Sequence, residues 1–109
     1  MEEKLITLTD GTRMAVKVNF ATIYYMSKTN IEKMTRKKNL TEREEIEVAA
    51  NMIYVILRSN GMKVDKDEAM ILVPLDTTEI KTLFEEFGER LEKFKKKQEA
   101  KQTMNQMGK

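Results

Sequence analysis

The chain contains neither cysteine nor histidine among its 109 residues. Without cysteine it has no disulfide framework, which fits a reducing compartment. The absence of both residue types excludes Cys/His and Ser/His/Asp nucleophile systems, and it removes the thiolate and imidazole ligands of many metal sites. The four glycines are scattered, so the sequence has no glycine-rich loop to cradle a phosphate group. We therefore expect a protein that is not an enzyme and that holds no metal or cofactor.

Long apolar runs are missing as well. The most apolar stretches, residues 48–57 and 70–73, are far shorter than the roughly 20 residues that a membrane-spanning helix needs. Residues 1–4 carry acidic side chains and are not followed by the apolar stretch of a signal peptide. The sequence therefore predicts a protein without membrane contact that stays in the cytoplasm.

Charged residues are abundant and unevenly distributed. They make up 35% of the sequence, above the roughly 25% of an average globular domain. Residues 95–109 contain five lysines and one glutamate, a net charge of +4, whereas residues 1–94 contain 15 basic and 17 acidic side chains, a net charge of −2. A chain of this length builds one modest core. We expect a single globular domain over residues 1–94 and a basic, largely flexible tail over residues 95–109.

The first segment has the pattern of a β-hairpin. Two short runs rich in β-branched residues, 5–9 and 14–18, lie on either side of Asp10-Gly11. The second run alternates apolar and polar side chains, as a strand with one buried face does. Because a lone hairpin is marginally stable in water, this one must pack on the helices or pair with another chain.

The register of the hairpin depends on the length of its loop. A two-residue loop would place Leu5 and Thr7 beside the apolar face of the second strand, and a three-residue loop would place Ile6 and Leu8 there. A one-residue slip turns every side chain to the opposite face, so the apolar match should decide. We predict the three-residue loop, because it gives the more apolar set.

The rest of the sequence predicts about four helices, which places the protein in the α+β class, mainly α, with an N-terminal hairpin and a flexible basic C-terminal tail. Residues 29–30 are predicted to break the helix that follows Asn19. A further helical turn at 31–34 and a basic linker come after this break. The residues predicted to cap helix N-termini are Asn19, Thr41 with Glu44, Asp65 or Asp67, and Asp76 with Glu79.

The helix that follows Thr41 is apolar around most of its circumference, which predicts the central helix of the core. Asn60-Gly61 is predicted to end this central helix with a left-handed C-cap, and Pro74 is predicted to end the next helix. Met52 and Met70 are predicted to fill gaps in the core.

The last helix carries a heptad-like apolar seam, with spacings of four, three, four and three residues. Its members are Ile80, Phe84, Phe87, Leu91 and Phe94. Two interpretations stay open: the seam binds a helix of another protein, or it packs inside the same molecule against the central helix. An oligomer would satisfy both.

Beyond Phe94 the apolar pattern stops. The helix can extend to about residue 100, and residues 102–109 have nothing to bury and are predicted to fray. Met104 and Met107 lie in this polar stretch with no core to join, which makes them candidates for partner contact.

Four stretches together resemble tail assembly chaperones from siphophages and prophages of Gram-positive bacteria. They are ITLTDGT at 6–12 with VNFAT at 18–22, AANMIYVIL at 49–57 ending in NG at 60–61, and DEAM at 67–70 leading to VPLD at 73–76. The resemblance spans about residues 5–95. It lies in the layout of segments, because the family has no invariant catalytic signature.

The resemblance implies a protein that is made during tail morphogenesis in the host cytoplasm and is absent from the finished virion. Such chaperones bind the long, helical tape measure protein and help the tail tube protein polymerise around it. They often self-associate, and many are also made in a longer, frameshifted form.

Two other functions fit parts of the sequence. Basic clusters at 33–38 and 95–101 could contact phosphates in a nucleic-acid-binding or regulatory phage protein. No base-reading helix follows a tight turn, however, and aromatic residues are not interleaved with the basic ones, which disfavours nucleic acid. A structural tail component that persists in virions is the other alternative.

Overall fold

The computed structural model describes residues 4–107, and the side chains of residues 4–98. Within this part the chain forms a two-stranded antiparallel hairpin followed by five helices, which confirms the mainly helical α+β class. The elements are β1 (Leu5–Thr7), β2 (Arg13–Ala15), α1 (Phe20–Met26), α2 (Ile31–Thr35), α3 (Glu42–Ser59), α4 (Lys66–Leu72) and α5 (Thr77–Met107). The turn predicted after the break at residues 29–30 is the short helix α2.

The hairpin has the register that the apolar match predicts. Ile6 lies opposite Met14, and the amide of Leu8 donates to the carbonyl of Thr12 over 2.8 Å, which closes a three-residue loop. Gly11 in this loop has a φ of +88°, in the left-handed region that glycine adopts without steric cost. The side chains on this face of the hairpin are buried, so it contributes directly to the core. They are Ile6, Leu8, Met14 and Val16.

Helix α1 begins at the predicted N-cap. The side chain of Asn19 accepts from the amide of Thr22 over 3.1 Å, and the hydroxyl of Thr22 accepts from the amide of Asn19 over 2.9 Å. The aromatic and aliphatic residues of α1 that follow helical spacing nevertheless face outward, and Phe20 is 68% exposed. Thr22 and Met26 are the residues of this helix that enter the core.

Helix α3 is the central helix, as predicted. Thr41 and Glu44 form the capping box at its start. At its end, Gly61 adopts a φ of +90°, its amide donates to Arg58 and the next amide donates to Leu57, which is the Schellman arrangement. The apolar stripe of this helix includes Ile46, which lies just past the acidic first turn and is 38% exposed rather than buried.

Helix α4 packs on α3 and has Asp65 as its N-cap, whose carboxylate accepts from the amide of Glu68 over 2.7 Å. Its buried residue is Ala69, whose small side chain lets the two helices approach. The placement of Met52 in the core is confirmed. The same prediction for Met70 is wrong: its side chain is 42% exposed, because this short helix turns the neighbouring Ala69 toward α3 instead.

The start of helix α5 differs from the predicted capping box. Asp76 accepts from the amide of Thr78 over 2.8 Å, but the carboxylate of Glu79 accepts from the amide of Thr7 over 3.3 Å. Glu79 therefore links α5 to strand β1 instead of closing its own helix terminus. This long-range hydrogen bond is available only because α5 packs beside the hairpin.

Helix α5 continues through Met107, past the predicted domain boundary at residue 94. Its backbone is thus helical over most of the predicted tail, and the flexibility predicted for residues 95–109 stays a prediction. Across residues 4–107, none of the helices combines the length and the apolar character that crossing a membrane requires.

One core unites the elements. It is formed by the inner face of the hairpin, most of α3 and the inner side of α5, with Ile6, Ile53, Leu83 and Phe87 among its fully buried side chains. Helices α1, α2 and α4 each pack against α3. This arrangement leaves an open side where α5 passes the short helix α2.

Candidate functional site: an apolar groove beside α5

An apolar groove of about 410 Å³ opens between α2, α3 and α5. We call it the α5 groove. Its apolar lining residues are Met26, Ile31, Leu40, Val48, Met52, Phe84, Phe87 and Leu91, together with Gly88. Most of these side chains are buried or half-buried, so the groove is a surface opening into the core.

Gly88 leaves open space on the α5 side of the groove. A Cβ atom placed on Gly88 would meet no heavy atom within 4 Å outside its own helical turn and its chain neighbours. The adjacent turns of α5 carry Phe84 and Leu91, which form the walls on either side of this gap. Glycine lowers helix stability by about 1 kcal/mol relative to alanine, so its position on the groove side of a long helix has a cost in folding.

The wall opposite α5 comes from elements that are short or irregular. Ile31 lies in the first turn of α2, and Leu40 lies in the linker that leads to α3. Ile31 is 1% exposed and packs into the core, whereas Leu40 is half-buried at the edge of the groove. The linker is held near α3 by the ion pair between Lys37 and Glu44.

Charged side chains form the rim of the groove. Arg36 and Lys95 contribute two positive charges, and Glu32 contributes one negative charge. The rim therefore has a small positive excess around an apolar floor. This combination favours a ligand with an apolar face bordered by acidic groups.

Glu44, the ion-pair partner of Lys37 in this linker, has a perturbed pKa. The hydrogen bond from the Lys37 ammonium, followed by the hydrogen bond from the Thr41 amide, holds the pKa of the Glu44 carboxyl below its ordinary value of 4.5. The carboxylate stays ionised near neutral pH and serves as both ion-pair partner and helix cap. Its role is structural, because it orders the start of α3 and the linker.

The structure divides the predicted seam of α5 among several surroundings. Phe84, Phe87 and Leu91 line the α5 groove, while Ile80 packs against the core. Phe94 lies apart from the groove and forms an edge-to-face pair with Phe20, with 5.2 Å between ring centroids. Phe87 is 2% exposed, so this part of the seam packs within the molecule.

Two predicted contact residues have their backbone in the last turns of α5. The side chains of Met104 and Met107 lie outside the part of the chain whose side chains are described, and their role in partner binding stays a prediction.

Sequence reasoning missed one wall of the groove. Ile31 and Leu40 belong to a five-residue helix and a linker, which are too short to show a helical period. Gly88 is visible in the sequence as a weak point of α5, but its effect on surface shape depends on which side of the helix faces α2. Only the packing of α2 and α5 against α3 reveals that the apolar residues of these segments converge.

Among the described residues, no group of three or more Asp or Glu side chains is arranged to hold a metal ion. A comparison of the chain with family models, with curated proteins and with solved structures gives no match.

Proposed function

We propose that the protein is a phage tail assembly chaperone that binds the tape measure protein and promotes polymerisation of the tail tube protein around it. The α5 groove is the observation that carries this proposal, and the layout of sequence segments supplies the phage context. The alternatives, a nucleic-acid-binding phage protein and a structural tail component, do not account for an open apolar groove as directly.

The groove suits an amphipathic helix as its occupant. Helix-in-groove recognition uses apolar side chains at spacings of three and four residues, which enter a concave apolar surface on the receptor. The space above Gly88, between Phe84 and Leu91, is where such a side chain would insert. A tape measure protein is long and helical, and it needs its apolar faces covered before the tube encloses it.

The rest of the proposed function follows from the same role. A chaperone acts in the host cytoplasm, leaves before the virion is complete and needs no cofactor. We include self-association in the proposal, and also a longer form made by frameshifting near the end of the gene. A slippery codon run near the stop codon, with a second frame that continues the protein, would support the longer form.

Gly88 offers the sharpest test of the groove. In a Gly88→Leu variant the new side chain has open space at a groove-lining position between Phe84 and Leu91, and leucine is a stronger helix former than glycine. We expect this variant to fold and to lose at least about tenfold in affinity for the tape measure protein, because the occupied groove excludes the client side chain. The measurement is titration of the purified client segment, or co-purification after co-expression with the neighbouring tape measure gene.

Glu89→Leu is the matched control, because Glu89 is exposed on the same helix and does not line the groove. It adds the same side chain about 100° around the helix from Gly88, and its affinity should stay close to that of the unchanged protein. Equal binding by the Gly88→Leu variant would remove the groove from the proposal.

The function itself is tested by two further observations. Co-expression should keep the tape measure protein soluble, and mass spectrometry of purified virions should not detect the chain. Detection in virions at a fixed ratio to the tube protein would favour the structural tail component instead.

A further inference from the structure

A second cleft, of about 500 Å³, lies on the other side of α5 from the α5 groove. It forms between the extended segment after β2, residues 16–18, and the part of α5 from Arg90 to Lys97. Five basic side chains line it: Lys17, Arg90, Lys93, Lys96 and Lys97. Val16, Val18 and Phe94 supply its apolar surface. We call it the basic cleft.

The positive charge of the cleft is only partly neutralised within the molecule. Arg90 is paired with Glu86 over 3.7 Å, and Lys96 is paired with Glu92 over 3.2 Å. No ion pair within 4 Å joins Lys17, Lys93 or Lys97 to a carboxylate among the described side chains. Five cations and two carboxylates leave an excess of three positive charges around one apolar floor.

The arrangement on α5 is continuous along one side of the helix. Lys93 and Phe94 lie three and four residues after Arg90, and Lys97 lies three and four residues after Phe94 and Lys93, so the four occupy neighbouring positions of one face. The extended segment adds Lys17 from the opposite wall. Phe94 is half-buried against Phe20, which holds its ring in place between the cations.

We propose that the basic cleft binds an acidic segment of a partner polypeptide, in which carboxylates flank an apolar side chain. The carboxylates would pair with Lys17, Lys93 and Lys97, and the apolar side chain would rest on Phe94 and the two valines. This site is separate from the α5 groove, and its existence does not depend on what the groove binds.

Charge and shape favour a polypeptide over a nucleic acid. Proteins that bind nucleic acid strongly contact on the order of 6–10 phosphates, whereas this cleft has an excess of three charges. Val16 and Val18 provide aliphatic surface, which suits an aliphatic side chain better than it suits base stacking.

A labelled model peptide tests the proposal on the full chain. The probe is a peptide of about twelve residues in which leucines are flanked by pairs of glutamates, long enough for three or four anchoring positions. Fluorescence anisotropy reports its binding. We expect the Lys93→Glu/Lys97→Glu variant to bind it at least about tenfold more weakly, because the substitutions replace attraction with like-charge repulsion.

The matched control is Lys63→Glu/Lys81→Glu, which changes the net charge by the same amount at exposed positions outside the cleft. Its affinity should fall less than about threefold, since only long-range screened charge is altered. Equal loss in both variants would overturn the proposal, because binding would then depend on net charge alone. Thermal unfolding of each variant shows whether it is folded.

Two further probes separate the ligand classes. A peptide with serine in place of leucine should bind more weakly than the leucine peptide, and a Phe94→Ala variant should reduce this difference. Oligothymidylate should not compete at physiological salt. If it binds more tightly than the leucine peptide, and the Lys93/Lys97 variant loses that binding, the cleft is a nucleic-acid site and the proposal is wrong. Absence of binding by the unchanged protein also overturns it.

Discussion

At the residue scale, individual polar side chains connect segments that are distant in sequence. Glu79 accepts a hydrogen bond from the amide of Thr7, across 72 positions of the chain. Thr9 donates through its hydroxyl to the carbonyl of Ile71 over 2.7 Å, which ties the hairpin loop to the end of α4. Glu44 similarly joins the basic linker to the first turn of α3. These bonds orient the elements, while apolar burial supplies most of the stability.

Glu44 gives the residue-scale prediction. Because the pKa of its carboxyl is lowered in the folded protein, ionised Glu44 stabilises the fold above its unfolded value of 4.5, and this contribution is lost as pH falls through the lower folded pKa. A Glu44→Gln variant should therefore unfold at lower urea concentration than the unchanged protein at pH 7. The difference should shrink as the pH falls below 4.5, where the carboxyl becomes protonated.

Urea titrations at several pH values measure this effect. Arg43→Gln is a useful control, since its ion pair with Glu47 is highly exposed and should contribute little. A stability difference for Glu44→Gln that is the same at acidic and neutral pH would contradict a role for the ionised carboxylate.

At the element scale, α5 has distinct roles along its length. Its first turn joins β1 through Glu79, and the next two turns bury Leu83 and Phe87 against the core. Farther on, Gly88 lines the α5 groove, and residues 90–97 form one wall of the basic cleft. The apolar seam is thus used for intramolecular packing at its centre and for surface features beside it.

Leu83 and Leu75 give the element-scale prediction, because they are the same residue type in opposite surroundings. Leu83 is 0% exposed in the middle of the packed part of α5, and Leu75 is 92% exposed just before the helix. Leu83→Ala should lower the free energy of unfolding by about 2–5 kcal/mol, through lost burial and the cavity that it leaves.

Leu75→Ala should change the free energy of unfolding by less than about 0.5 kcal/mol, as surface substitutions usually do. Chemical denaturation of both variants measures the difference. Similar losses for both would indicate that Leu75 is covered in solution, for instance by another copy of the chain.

At the scale of the whole molecule, α5 determines the shape. The chain measures 51 × 29 × 27 Å, and its radius of gyration of 14.9 Å exceeds the roughly 13 Å of a compact domain of this length. At 1.5 Å per residue, the 31 residues of α5 span about 46 Å, close to the long dimension of the molecule. The core described above is concentrated in residues up to Leu91.

Hydrogen exchange gives the whole-molecule prediction. Amides of α3 should exchange only through global unfolding, because the helix is buried on most sides. Amides of residues 95–107 should exchange much faster, since isolated helices shorter than about 12–15 residues are marginal in water. Mass spectrometry of proteolytic fragments after timed labelling provides the measurement.

Protection of residues 95–107 equal to that of α3 would contradict the predicted flexible tail. Repeating the experiment with bound tape measure protein adds a second comparison. New protection in the tail would place Met104 and Met107 near the partner.

The sequence by itself determined the local structure of this protein, because those signals are short in range. The side chains of Asn19, Thr41 and Asp65 each cap a helix by accepting a hydrogen bond from an amide three residues later. Gly61 follows the C-cap residue of α3 and ends the helix with a positive φ. The hairpin register followed from apolar matching between nearby strands. The buried set of α3 was largely evident because its apolar pattern is long and repeated.

Only the tertiary structure decided which apolar surfaces became internal and which formed grooves. Phe20 and Met70 carry apolar side chains in helices, yet both are exposed because the core is filled by larger elements. Gly88 lines a groove because α5 packs with that side toward α2, and the cations of the basic cleft come from segments more than 70 positions apart. Helix and turn signals act over a few residues, whereas grooves and clefts depend on the relative orientation of whole elements, which is decided by packing against the shared core.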